Sequence, residues 1–137
     1  ELSSVQLSFV EPKNIFYIED NTSNIRLLDA WLKPYPQINL SSQADPLIGL
    51  DEIRTALPDL ILLDINLPGI GGYEVLELLK ADPRTTSIPV IALSAGAMTS
   101  DIEQGLQKGF DEYLTKPLDM NRLLTAFNRF SAREITS

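Results

Sequence analysis

The sequence predicts an α/β fold, a parallel β-sheet covered by helices on both faces. Three observations carry this prediction. Short apolar runs alternate along the chain with segments of helical period. The clearest run, residues 59–64 (DLILLD), is apolar without alternation, as a strand buried on both faces must be. Capping side chains introduce the helical segments, and proline or glycine closes them.

Residues 1–13 (ELSSVQLSFVEPK) have no sustained periodicity and read as a leader or linker. Residues 14–18 (NIFYI) form a first strand that stops at Glu19-Asp20. Asn21-Thr22-Ser23 can cap a helix in which Ile25, Leu28 and Leu32 share a face, and Pro34 and Pro36 end it. Residues 38–41 are a weak second strand. Asp45 precedes a proline at the first helical position, and Leu47, Leu50, Ile53 and Leu57 follow at helical spacing. After the third strand comes a loop with Pro68, Gly69, Gly71 and Gly72, then a helix around Val75, Leu76 and Leu79. Residues 88–93 (IPVIAL) make a fourth strand, with Pro89 tolerable at its start. Ser100, Asp101, Ile102 and Glu103 spell a capping box, and that helix is expected to end at Lys108-Gly109. Residues 110–115 form the last strand. Asp119 caps a final helix with Leu123, Leu124 and Phe127 inward, and the tail after Phe130 is expected to fray. Five strands alternating with five helices imply right-handed crossovers and a three-layer sandwich.

Composition removes several function classes. At 137 residues the chain suits one domain. Without cysteine there are no disulfides, thiolate metal sites or cysteine nucleophile, which fits a reducing, cytoplasmic setting. Without histidine there is no Ser–His pair, no His-ligated zinc and no phosphohistidine on this chain. A net charge of −8 argues against direct nucleic-acid binding, which needs a basic face. No uninterrupted apolar run is longer than residues 60–63, far below a membrane span, so no membrane contact is expected. The chain opens on Glu1 rather than Met and reads as a fragment of something longer.

Ligands of an open α/β sheet sit at the carboxyl ends of its strands. Strand one ends in Glu19-Asp20, strand three in Asp64, strand four in Ser94-Ala95, and strand five near Thr115-Lys116-Pro117. Three carboxylates, a hydroxyl and an ammonium thus converge on one edge. Clustered carboxylates raise each other's pKa unless a cation offsets them. Lys116 is one such cation. Oxygen ligands alone, with open positions, point to a hard metal and suit Mg2+ better than a full calcium cage. A carboxylate, a Mg2+ and a lysine together make a place for a phosphoryl group, with aspartate able to attack phosphorus.

These residues resemble response-regulator receiver domains over about residues 14–131, leaving 1–13 as leader and 132–137 as tail. The matching pieces are YIEDN (17–21), LILLDINLPGIGGYEVL (60–76), IPVIALSA (88–95) and GFDEYLTKPLD (109–119), with Asp20, Asp64, Ser94 and Lys116 at the family's separations. The resemblance implies a flavodoxin-like fold with strand order 2-1-3-4-5. It implies Asp64 as phosphoacceptor. Mg2+, or Mn2+ in its place, would be held by Asp20, Glu19, Asp64 and the backbone carbonyl of Asn66. Lys116 would pair with the phosphoryl oxygens and Ser94 would donate to them, while the small Ala95 leaves room. Tyr113 would be the aromatic switch that follows Ser94, and the Lys116–Pro117 peptide would be cis. Gly71-Gly72 departs from the Asp-Gly of many relatives. The donor would be a histidine kinase or histidine phosphotransfer domain, and a phosphorylation-dependent dimer is conceivable. The stretches around Asn21, Asn24 and 88–118 look most like receivers of hybrid sensor histidine kinases, so a longer parent chain could be a kinase while this domain is no enzyme on its own.

Each residue alone has a plainer explanation: Glu19-Asp20 as a solvated strand end, Asp64 as a loop cap, Ser94 as an ordinary small residue, Lys116-Pro117 as loop punctuation. Together these do not explain why all fall on one sheet edge. Three other functions fit less well. An aspartate-nucleophile phosphatase needs an acid two residues after the nucleophile, and Asn66 stands there. A flavin binder needs phosphate-binding donors after strand one, where Glu19-Asp20 would repel a phosphate. A pseudo-receiver, a docking module independent of phosphorylation, should lack the acceptor, an acid or the lysine, and none is missing.

Overall fold

The computed structural model describes residues 5–67, 69–95 and 99–135. Among these residues five strands alternate with five helices: β1 (Lys13–Ile18), α1 (Thr22–Leu32), β2 (Ile38–Gln43), α2 (Pro46–Ala56), β3 (Leu60–Asp64), α3 (Gly72–Ala81), β4 (Val90–Ser94), α4 (Thr99–Lys108), β5 (Glu112–Thr115) and α5 (Met120–Ile135). The strands pair in the order β2-β1-β3-β4-β5, every pair parallel. This is the flavodoxin-like order expected from the sequence. The chain winds outward from β1 to β2, then crosses back to β3, so the crevice for a ligand opens where β1 and β3 end side by side.

Strand alternation divides the interior into two cores. Ile15 and Tyr17 of β1, Leu60 and Leu62 of β3, and Ile91 and Leu93 of β4 face one layer, closed by Leu28 and Leu32 of α1 and by Leu123, Leu124 and Phe127 of α5. Phe16, Ile18, Ile61, Leu63, Val90 and Ala92 face the other, under Leu50 and Ile53 of α2 and Val75, Leu76 and Leu79 of α3. Apolar burial on both faces is why the central strands carry no polar alternation.

Three of the predicted caps are in place. Asn21 Oδ1 accepts from the Asn24 amide at 3.1 Å. Asp45 Oδ1 accepts from the Leu47 and Ile48 amides at 2.9 and 3.1 Å, ahead of Pro46. Asp119 Oδ1 accepts from the Asn121 amide at 2.8 Å. α4 stops at Lys108, and Gly109 follows with φ +119°, a conformation that favours glycine. The Ser100 side chain of the expected capping box lies outside the described residues, as does Pro68.

Elsewhere the structure departs from the expected pattern. Leu47 and Leu57 do not join the buried stripe of α2; they are 57% and 48% exposed, and Leu50 and Ile53 do the packing. Leu57 sits past the last turn in a left-handed C-cap (φ 49°), which turns it away from the core. β4 and β5 begin two residues later than expected, at Val90 and Glu112. The end of the chain does not fray at Phe130, because α5 continues to Ile135 and only 136–137 fall outside the described residues. The described part of the leader packs on the domain. Phe9 is buried against the α1/α5 core, and Val5 and Leu7, partly buried, pack beside it. The Ser8 amide donates to Asn128 Oδ1 at 2.7 Å, and Asn128 Nδ2 donates to the Gln6 carbonyl at 2.8 Å. Gln37 Nε2 holds the Phe9 carbonyl at 3.2 Å. One side chain of α5 therefore ties down the segment that leads into β1.

Phe9→Ala should lower unfolding stability by about 3 kcal/mol, the usual cost of removing a buried phenylalanine. Urea denaturation of the two proteins measures it, and a loss below about 0.5 kcal/mol, the range of ordinary surface substitutions, would mean that the leader contributes nothing to the fold.

Candidate functional site

Strand register assembles the site. Ile18 of β1 pairs with Leu63 of β3, so Glu19 and Asp64 emerge next to each other. Asp64 pairs with Leu93, which places Ser94 one step further along β4, and Ser94 pairs with Thr115. The Lys116 amide then donates to the Ser94 carbonyl at 2.7 Å, carrying the lysine to the same edge. The Lys116–Pro117 peptide is cis, as expected.

Lys116 Nζ bridges the two buried acids, 3.2 Å from Glu19 Oε1 and 3.3 Å from Asp64 Oδ2. The carboxylates are almost fully covered, with side-chain exposures of 1% and 3%. Asp64 Oδ1 accepts from the Asn66 amide at 3.0 Å. Glu19 is more heavily held. Its Oε1 also accepts from the Tyr17 hydroxyl at 3.0 Å and from Asn24 Nδ2 at 3.1 Å, while Oε2 accepts from the Asn21 amide at 3.2 Å. Asp20 stands exposed beside them. One carboxylate oxygen each from Glu19, Asp20 and Asp64 lies within 4.8 Å of the others.

The electrostatics follow from this unequal support. Burial raises the Asp64 carboxyl, and its closeness to Glu19 raises it further, against the pull of the Asn66 amide and Lys116. Burial also works against the Glu19 charge, but hydrogen bonding with Asp64, the Asn21 amide and Asn24, together with the Lys116 charge, overrides it and brings Glu19 down to about 2. Burial opposes the Lys116 ammonium too, and the charges of Asp64 and Glu19 more than compensate, so its pKa is raised. The Tyr17 phenol is pushed far up by burial and by Glu19, so it stays protonated and remains a donor. The donor set fits a hard divalent cation. It is all oxygen and has two covered carboxylates and an exposed third, with solvent positions left over for water or a ligand oxygen.

The structure thus brings together Glu19, Asp20, Asp64 and Lys116. Ser94, 4% exposed, and the exposed Ala95 lie at the same edge. Asn66 is in the loop after β3. Tyr113 is half-buried, with its ring against α4: a Cβ on Gly105 would fall 2.5 Å from its Cδ2. Gly72, at the start of α3, presses on the turn after Asp64, where a Cβ would stand 2.7 Å from Ile65 Cα and 3.0 Å from the Asp64 carbonyl oxygen. Sequence reasoning missed Tyr17 and Asn24 as partners of Glu19. The signal existed for Tyr17, since residues two apart on a strand share a face. For Asn24 there was none, because its reach back to Glu19 depends on how α1 leaves the sheet.

The family model described as the response regulator receiver domain matches residues 15–128. This chain belongs to that family. Among its relatives, the polar-differentiation response regulator DivK of Brucella anthropi is 35% identical over 119 residues, which cover 87% of this chain and 96% of DivK. The response regulator PleD of Caulobacter vibrioides is 39% identical over 105 residues, covering 77% of this chain and 23% of PleD, so the chain spans under a quarter of that longer protein. In structure the chain is similar to the receiver domain of the sensor histidine kinase PA1611 from Pseudomonas aeruginosa, solved with a magnesium ion in its active-site cleft (TM-score 0.78, 29% identity, 87% of this chain and 97% of that one). It is also similar to the phosphorylated cyanobacterial phytochrome response regulator RcpA (TM-score 0.70, 32% identity, 86% and 90% covered). Receiver domains accept phosphoryl groups from histidine kinases or phosphotransfer proteins and bind Mg2+ in their acidic cluster, which here corresponds to Glu19, Asp20 and Asp64. No helix among the described residues is long and apolar enough to cross a membrane.

Lys116→Met should destabilise the receiver by about 1–3 kcal/mol, because two buried carboxylates lose their shared donor. Added Mg2+ should recover part of the loss. Thermal unfolding with and without Mg2+ checks both, and equal stability of variant and wild type without the metal would show that the bridge contributes nothing.

Proposed function

We propose that Asp64 is the phosphoacceptor of a two-component phosphorelay, taking its phosphoryl group from a phosphohistidine on a histidine kinase or histidine phosphotransfer domain. The carrying observation is the bridge itself: a covered aspartate at the β1/β3 crevice, held by one lysine, with two further carboxylates within 4.8 Å. An Asp64 oxygen forms the new O–P bond while the donor's N–P bond breaks, and the imidazole leaves as the neutral base after taking a proton from solvent. Bound Mg2+ offsets the negative charge gathered on the phosphoryl oxygens; Mn2+ can replace it. Glu19, Asp20, Asp64 and the Asn66 carbonyl are its protein ligands in this reading.

Lys116 moves from Asp64 to a phosphoryl oxygen, exchanging one anion for another at little cost. Ser94 donates to a second oxygen, and Ala95 keeps the approach open. Tyr113 follows the inward pull on Ser94, which alters the face formed by α4, β5 and α5 for a partner or a second copy of the chain. The domain catalyses its own phosphorylation and hydrolysis but turns over no foreign substrate. A cytoplasmic setting, no direct contact with nucleic acid or membrane, and a hybrid sensor kinase as parent complete the reading. The net charge of −8 supports the second of these, and the likeness to the PA1611 receiver supports the last. The receiver unit spans 14–131 in this reading.

Intact mass after incubation with Mg2+ and a small acyl phosphate should show one phosphoryl group on wild type and none on Asp64→Asn. Label on both would move the acceptor elsewhere; label on neither, with the fold confirmed, would make the chain a docking module. A second variant addresses the switch. Gly105→Ala puts a methyl where the Tyr113 ring now rests, so the ring must leave α4. Amide resonances of residues 94, 95 and 113 in the unphosphorylated variant should then shift toward those of phosphorylated wild type, and resonances unchanged from unphosphorylated wild type would rule out Tyr113 as the switch.

A further inference from the structure

Glu19 holds more hydrogen-bond donors than a metal ligand needs. Three converge on Oε1 alone, from Tyr17, Asn24 and Lys116, at 3.0, 3.1 and 3.2 Å. Oε2 accepts from the Asn21 amide at 3.2 Å. The two oxygens are thus used differently. Oε1 collects the donors from inside the protein, and one Glu19 oxygen lies within 4.8 Å of a carboxylate oxygen each of Asp20 and Asp64. Tyr17 is 1% exposed, in the middle of the α1/α5 core. A phenol buried that deeply needs a partner for its hydroxyl, and its partner here is Glu19.

From this geometry we infer that Tyr17 and Asn24 are positioning residues of the phosphoryl-transfer site, holding Glu19 Oε1 so that the carboxylate keeps its orientation in the acidic cluster and Lys116 is free to leave. The inference rests on the receiver reading above and adds to it. Its logic is one of satisfaction. When Lys116 turns to the phosphoryl group, Glu19 loses a donor in a place that water does not reach. With Tyr17 and Asn24 in position, Oε1 keeps two hydrogen bonds and the carboxylate neither rotates nor resists. Without them Lys116 would be the last donor on a buried oxygen, and its transfer would strand that charge. Asn24 can act this way because the cap that starts α1, Asn21 Oδ1 to the Asn24 amide, fixes where its side chain begins. The two donors come from opposite sides, one from inside β1 and one from the first turn of α1. Outer partners of this kind orient metal ligands and usually change metal affinity when removed.

The test uses Tyr17→Phe, Asn24→Ala and the double variant of the whole chain. Tyr17→Phe keeps the buried ring and deletes only the hydroxyl. Calorimetric titration with Mg2+ gives the Kd. Labelling by a small acyl phosphate at saturating Mg2+ gives the rate once metal binding is complete, and thermal unfolding in a chelator reports purely structural damage. Trp31, the single tryptophan, lines the same cavity of about 240 Å3 as Tyr17, Asn24 and Lys116, so its fluorescence follows the titration independently. Each single variant should weaken Mg2+ binding, and the double variant should weaken it by roughly 10–100-fold. The loss in the double should exceed the product of the singles, since both donors serve one oxygen. Its labelling rate should stay reduced even with Mg2+ saturating. A double variant whose Kd and saturated rate stay within about twofold of wild type, below the usual outer-partner effect, would overturn the inference whatever happens to its melting temperature. Wild type that neither binds Mg2+ nor takes label would instead overturn the receiver reading, and this inference with it.

Discussion

The site depends on one arrangement, two buried carboxylates joined by a single ammonium. Glu19 and Asp64 emerge from adjacent parallel strands with almost no exposure, and neither would stay charged there unaided. Lys116 reaches both. The cost of covering two like charges is offset by one cation and by local donors, and the donors are unequally shared. Glu19 is heavily supported and held low, whereas Asp64 has one amide and the lysine and is pushed up. That asymmetry suits two different tasks. The well-supported acid suits a fixed ligand of the proposed metal. The poorly supported one is the group with the most to gain from a new bond and a metal.

The fold places these groups with few specific contacts of its own. Parallel register brings every strand's carboxyl end to the same edge, and the return from β2 to β3 leaves a gap between the flanking helices there. Apolar packing on both faces keeps the strands in register: a slip of one residue would turn Ile18 and Leu63 to the wrong layer and Glu19 away from Asp64. Gly72 lets α3 begin against the turn after Asp64, where a side chain would collide with Ile65. The same economy holds at β5, where Gly105 leaves space on α4 for the Tyr113 ring. Two glycines thus set the boundaries of the parts on either side of Asp64.

Two neighbours of the site connect it to the rest of the domain. Tyr17 belongs at once to the α1/α5 core and to the hydrogen bonds that hold Glu19, so the packing beneath the sheet and the orientation of that carboxylate are one matter. α5, through Asn128, also holds the segment before β1. That face is consequently linked to the site from below by Tyr17, and α5 is linked to Gln6 and Ser8 by two hydrogen bonds.

Much of this was legible in the residues. The order of elements, the carboxylates at the ends of β1 and β3, the lysine after β5 and the caps at Asn21, Asp45 and Asp119 all follow from local rules, because burial on both faces and capping leave their marks on adjacent positions. What the residues did not show depends on distant partners. The leader looked formless because Val5, Leu7 and Phe9 alternate too briefly to mark an element, and their packing depends on α1 and α5 far along the chain. The end of α5 looked frayed because its last turns are polar. Leu47 and Leu57 fit a helical stripe, yet which part of that stripe meets the sheet depends on how α2 docks. The hydrogen bonds from Tyr17 and Asn24 to Glu19 depend on where α1 departs from β1. Sequence determined which chemical groups reach the edge, since strand ends are set by short-range pattern; tertiary structure decided which of them carry each other's charge, since that depends on distances between elements far apart in the chain.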